Sequence, residues 1–74
     1  MSLYDDVVAI AKPYLGPAAE RFVSRQLKGH LDIEGSQLSS HHLEELAKWC
    51  LVSGKLIMSE DQAQEFSRKV QGLR

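Results

Sequence analysis

Tyr14-Leu15-Gly16-Pro17-Ala18-Ala19 joins a helix stop to a helix start. Gly16 can adopt the positive-φ backbone that ends a helix, and Pro17 suits a first helical position, where its missing N–H leaves no bond unmade. Ala18 and Ala19 add little bulk, so the segment they open can pack closely on a neighbour. Upstream, Leu3, Tyr4, Val7, Val8, Ile10, Ala11, Tyr14 and Leu15 recur at helical intervals, with Asp5, Asp6, Ala9 and Lys12 off that face. Pro13 deletes an N–H from the last turn, so that turn is expected to kink or tighten rather than stop at Lys12. Downstream, Ala19, Phe22, Val23 and Leu27 point inward while Arg21, Arg25 and Lys28 point outward, until Gly29 weakens the helix.

Two more helix starts use related punctuation. Leu38-Ser39, with Leu43 five positions after Leu38, has the form of a hydrophobic staple around an N-cap serine. Met58-Ser59 repeats it, and Gln62 completes a capping box. The third helix carries Leu43, Leu46, Ala47, Cys50 and Leu51 inward and ends near Ser53-Gly54; the fourth aligns Gln62, Ala63, Phe66, Val70 and Leu73. Between helices two and three, Leu31 and Ile33 pin a connection to the core. Lys55-Leu56-Ile57-Met58 is short and apolar and is expected to cross the core. The chain therefore reads as all-α: a compact bundle of four short helices over 3–14, 17–29, 40–53 and 60–72, in a single domain spanning 1–74.

A chain of 74 residues, 43% of them hydrophobic, can build one core and sits near the limit of independent stability, which favours oligomerisation or docking on a partner. A net charge of −1 and a pI near 6.3 supply no bulk attraction to nucleic acid or an anionic membrane. Cys50 is the only cysteine, so no internal disulfide can form and a reducing compartment is the simpler setting. Asp5 and Asp6 stand where a signal peptide would carry Lys or Arg, and no apolar run approaches the roughly 20 residues of a membrane span. The expected location is cytoplasmic, with neither nucleic acid nor membrane as partner.

The stretch from Ala11 to Ala19, then Phe22-Val23-Ser24-Arg25, then Leu43-Glu44-Glu45-Leu46-Ala47, resembles a small helical module at the C-terminal ends of some bacterial signalling proteins. In that module, which follows Ser/Thr kinase and related regulatory domains, an aromatic or aliphatic pair precedes Gly-Pro and a small residue. A Val-x-Arg-like step and a Leu- and Ala-containing helix come later, and Ser59 to Phe66 loosely matches the closing helix. The resemblance covers most of the chain and implies a helical accessory module in bacterial regulation, with no catalytic residue to carry over. No kinase or receiver domain accompanies it in these 74 residues, so regulation of a covalently joined enzyme does not transfer.

Chemistry-bearing residues are sparse. His41 and His42 open the third helix with Glu45 a turn away, but adjacent helical residues point about 100° apart and no third ligand lies nearby in sequence. They read as solvated first-turn residues, and no metal or cofactor is expected. Histidine phosphotransfer domains are also small helical bundles, yet Lys28-Gly29 precedes His30 rather than following it. Cys50 reads as a core residue, and neither an activated nucleophile nor a glycine-rich phosphate loop is present, so an enzyme is not expected. Gln26 and His30 lie one turn apart on an apolar face; Gln26 is expected to bond a connecting loop and His30 to cap the carbonyl end of helix two.

Arg21, Arg25 and Lys28 form a basic stripe that suits an acidic protein better than DNA, because no tight helix-turn-helix follows. Trp49 is expected at the core margin on the flank of His42 and Ser53. Val52 points away from the core and, beside Trp49 and Leu56-Ile57-Met58, enlarges an apolar patch. The expected function is therefore non-catalytic: binding another protein, including a second copy as a homodimer, through Trp49, His42 and Val52, with Arg21, Arg25 and Lys28 setting orientation. The alternative is histidine-based phosphotransfer or small-ligand or metal binding through His30, His41 or His42.

Overall fold

The computed structural model describes residues 2–73, whose regular structure is all helical, with no strand among them. Helix α1 (Leu3–Leu15) starts on a capping box: Ser2 Oγ accepts from the Asp5 N–H at 3.1 Å, and the Asp5 carboxylate accepts from the Ser2 N–H. Pro13 lies within the helix, which continues to Leu15 as expected. Gly16 stops it at φ +56°, its N–H donating to the Lys12 carbonyl. An L-residue at that φ is strained, which is why glycine occupies the junction.

The expected helix over 17–29 is three geometries in succession. A 3₁₀ turn (Gly16–Ala18) carries Pro17, a regular segment α2 (Ala19–Gln26) follows, and a π turn (Leu27–Leu31) extends the path past Gly29. Asp32, at φ +57°, closes that turn with its N–H on the Leu27 carbonyl. Gly29 therefore does not end the helix; the wider turn absorbs it, and the left-handed cap arrives three residues later.

Helix α3 (Leu43–Gly54) is preceded by a 3₁₀ turn (Ser40–His42), so His41 and His42 lie ahead of the α-helix rather than in its first turn. Leu38 and Leu43 are both buried, as a staple around Ser39 requires. Helix α4 (Glu60–Gln71) begins on the expected box, with Ser59 Oγ accepting from the Gln62 N–H at 3.1 Å and Gln62 Oε1 from the Ser59 N–H at 3.2 Å. Because its side chain turns back to the cap, Gln62 is exposed instead of inward-facing.

One core cluster gathers Val7, Val8 and Ala11 of α1, Ala19 and Val23 of α2, Leu27, Leu38, then Leu43, Leu46, Ala47 and Cys50 of α3, and Phe66 and Val70 of α4. Phe66 is fully buried, with Tyr14 and Phe22 tilted against it at 5.5 and 5.9 Å between ring centroids. Polar ties run across the helices: Tyr4 bonds Ser24 at 2.7 Å, Tyr14 donates to Glu65 at 2.6 Å, and Ser67 donates to the Ala47 carbonyl at 2.7 Å.

The segment between α3 and α4 departs from expectation. Lys55-Leu56-Ile57-Met58 does not cross the core: Leu56 is 84% exposed and Ile57 58% exposed, and only Met58 tucks back against the cluster. Gly54 is buried at the end of α3, facing Ala63 of α4. The turn is closed by local bonds, Met58 N–H and Ile57 N–H both donating to the Gly54 carbonyl, and that leaves the aliphatic pair outside.

Candidate interaction surface

The exposed Leu56-Ile57 pair forms one wall of a groove of about 340 Å³, whose other wall is α2. Ala18, Arg21, Phe22 and Arg25 line the α2 side; Gln26 and Ser53 lie at its base. Helical spacing produces this arrangement. Residues 18, 21, 22 and 25 share one flank of a helix, and Gln26 follows Phe22 by one turn toward the core.

The base is held by a buried hydrogen bond. Gln26 is 3% exposed, and its Oε1 accepts from Ser53 Oγ at 2.8 Å while its Nε2 donates to the Phe22 carbonyl at 3.4 Å. Its partner is thus a hydroxyl on α3 and not the connecting loop. This bond ties α2 to the end of α3 and fixes the separation of the groove walls.

One turn further along, the same seam is closed by rings. His30 lies flat on Trp49, with centroids 3.7 Å apart and planes within 4°. His30 therefore does not cap helix two; the π turn carries it over the indole. Lys48 Nζ stands 5.0 Å from the indole centroid, and Trp49 Nε1 is buried without a hydrogen-bond partner. Trp49 sits at the core margin, half-buried, with one face already covered by His30. The apolar surface left open belongs instead to Leu56 and Ile57, with Val52 48% exposed on α3.

The basic residues divide into two kinds. Lys28 pairs with Glu34 at 3.5 Å, and Lys55 on the α3–α4 turn pairs with Glu60 at 3.9 Å. Among the described residues neither Arg21 nor Arg25 has a carboxylate within 4 Å. Their positions four apart put the two guanidiniums on one edge of α2, where they border the groove on one side and the shallow surface formed with Ser24, Lys28 and Gly29 on the other.

The remaining histidines serve the start of α3. Ser39 N–H donates to His42 Nδ1 at 3.1 Å, which puts any proton of a neutral His42 ring on Nε2, and Ser39 Oγ bonds His41 Nδ1 at 2.8 Å. The two rings lie 4.2 Å apart. His41 also borders a hollow of about 410 Å³ with Ser40, Leu43, Glu44 and Gln71. Among the described residues no three His, Cys, Asp or Glu side chains gather in a metal-binding arrangement. Cys50 is fully buried in α3, and burial pushes its thiol up to about 12.

The sequence pattern located Arg21, Arg25 and Val52 on the surface, and it singled out Leu56 and Ile57 without placing them there. Ser53 carried no signal of its own: its role depends on meeting Gln26 across 27 positions of chain. No helix among the described residues is long and apolar enough to cross a membrane. No family model, curated protein sequence or solved structure matches this chain.

Proposed function

We propose that this chain is a non-catalytic, four-helix protein-interaction module that binds another protein at the groove between α2 and the α3–α4 turn. One observation carries the reading: Leu56 and Ile57 are 84% and 58% exposed beside Arg21 and Arg25, which have no acidic neighbour within 4 Å among the described residues. Exposed aliphatic side chains facing unpaired guanidiniums across a groove combine the two ingredients of a recognition surface, apolar area and directional charge. Val52, next to Ser53 on α3, adds exposed apolar surface near the groove, whereas Trp49, covered on one face by His30, and His42, at the opposite end of α3, lie outside its lining. Lys28, held by Glu34, contributes long-range field more than direct contact. The resemblance at Tyr14 to Ala19 fits a bacterial signalling setting, and the single buried thiol of Cys50 fits the cytoplasm.

A photo-crosslinking side chain substituted at Ile57, with a control at exposed Gln64 on α4, tests this in extract of the native cells. A discrete protein adduct formed at position 57 and absent at 64 is expected, and Arg21→Glu with Arg25→Glu should abolish it. Equal labelling at both positions, or none at 57, overturns the proposal.

A further inference from the structure

We infer that the groove accepts an acidic amphipathic helix from a partner protein, an assignment that rests on the interaction reading above. Charge is the first argument. Among the described residues the two cations facing the groove have no carboxylate partner, whereas the neighbouring Lys28 and Lys55 are both paired. A segment that lowers apolar side chains between α2 and Leu56-Ile57 brings its flanking residues against Arg21 and Arg25. Carboxylates there gain bidentate, charge-assisted bonds, while lysines meet repulsion.

Shape supplies the second argument. Every described element is helical, so the described residues offer no sheet edge to which an extended strand could add. Phe22 is the one aromatic residue lining the groove, so it lacks the aromatic ladder that grips a polyproline segment. A helix, which presents apolar side chains at i and i+3 or i+4 with acidic residues beside them, matches a short groove walled by a helix on one side and a tight turn on the other.

Two other occupants fit less well. A second copy meeting the groove symmetrically would bring two Arg21-Arg25 pairs together across the axis, with the like-charge cost that entails. An anionic membrane would meet Leu56 and Ile57 as a wall of a hollow, next to Lys55, which lies 3.9 Å from Glu60, and with Asp61 in the first turn of α4. Those carboxylates beside the apolar pair oppose the pull that Arg21 and Arg25 exert on an anionic surface, and a recessed wall inserts poorly into a bilayer.

The probes are two synthetic helical peptides of about 18 residues, long enough to hold several helical turns, with leucines at i, i+3, i+4 and i+7. One carries glutamates and the other lysines on the flanking positions, and a scrambled acidic peptide controls for composition. Fluorescence anisotropy against the intact chain at low salt should show the acidic helix binding at least about tenfold tighter than the lysine helix, a preference that salt weakens. Arg21→Glu with Arg25→Glu should invert the preference, and Arg21→Ala with Arg25→Ala should erase it, with far-ultraviolet circular dichroism showing that both variants keep their helices.

Scrambled and helical acidic peptides binding alike would overturn the assignment, as would a preference that the double reversal leaves unchanged. Binding to vesicles of mixed neutral and anionic phospholipid that depends on Leu56 and Ile57, or self-association lost on Ile57→Asp, would overturn it in favour of those occupants. If neither peptide binds while the position-57 crosslink persists, the acidic-helix assignment falls and the interaction reading stands. If that crosslink is absent too, both fall.

Discussion

Ser53→Ala should destabilise the fold out of proportion to the single oxygen it removes. The Ser53 hydroxyl donates to Gln26 Oε1 at 2.8 Å, and Gln26 is the one buried polar side chain among the described residues, 3% exposed. Without that hydroxyl the amide oxygen is left buried with no donor, a loss that costs about 1–3 kcal/mol. Ser53 is itself half-buried, so some water can reach the gap and the lower half of that range, about 1–2 kcal/mol, is expected. For a domain of this size that lowers Tm by roughly 4–15 °C. Gln26→Leu should cost less, because Ser53 can rotate its hydroxyl onto its own helix. The double variant Gln26→Leu with Ser53→Ala replaces both partners by apolar groups and should recover most of what Ser53→Ala loses. Urea unfolding followed by Trp49 emission and by ellipticity gives the four stabilities and their coupling. A neutral Ser53→Ala, or a double variant less stable than the sum of the single changes, would refute the claim that this bond sets the groove base.

Three further outcomes follow from the backbone and the core. Gly16→Ala should lose about 1–3 kcal/mol through strain alone, since φ is +56° and the space around it is open, whereas Gly29→Ala, equally open and at ordinary φ, should gain about 0.5–1 kcal/mol; thermal melts of the pair should shift in opposite directions. Gly35→Ala would place a Cβ 2.8 Å from the Tyr4 ring, so it should cost about 1–3 kcal/mol and loosen the Tyr4–Ser24 bond, measurable as faster ring flipping and a lower Tm. The Cys50 thiol is raised from 9.0 to about 12 in the fold, so between those values the unfolded chain releases a proton that the folded chain keeps. Its contribution is complete below pH 9 and is lost as pH rises toward 12; denaturation curves across that window should fall more steeply for the wild type than for Cys50→Ala.

Most of the architecture was legible because it rests on local physics. Gly16-Pro17 and the Ser59-Gln62 box act within a turn or two, and the stripes through Val7, Val23, Leu46 and Phe66 record which face each helix buries. The parts that were not legible depend on distant partners. Gly29 resembles a helix stop, but packing of Leu27 and the Asp32 cap let a π turn carry the chain to Leu31. Leu56 and Ile57 look like core residues by composition; they are outside because the turn closes on itself, with the Ile57 and Met58 N–H groups both on the Gly54 carbonyl. His30 reaches Trp49, and Gln26 reaches Ser53, across intervals that no local pattern encodes. For the surface itself, the Arg21-Arg25 stripe was visible as helical spacing, while its apolar companion became clear only once the turn was in place.

The direct measurement is a nitrogen–proton correlation spectrum of the labelled chain titrated with the acidic helical peptide. With the α2 groove as the binding surface, shifts concentrate on Ala18 to Gln26 and Ser53 to Met58, and the Gln26–Ser53 seam remains protected. Shifts centred instead on the hollow at Ser40, His41 and Gln71, with the groove residues unmoved, would contradict it.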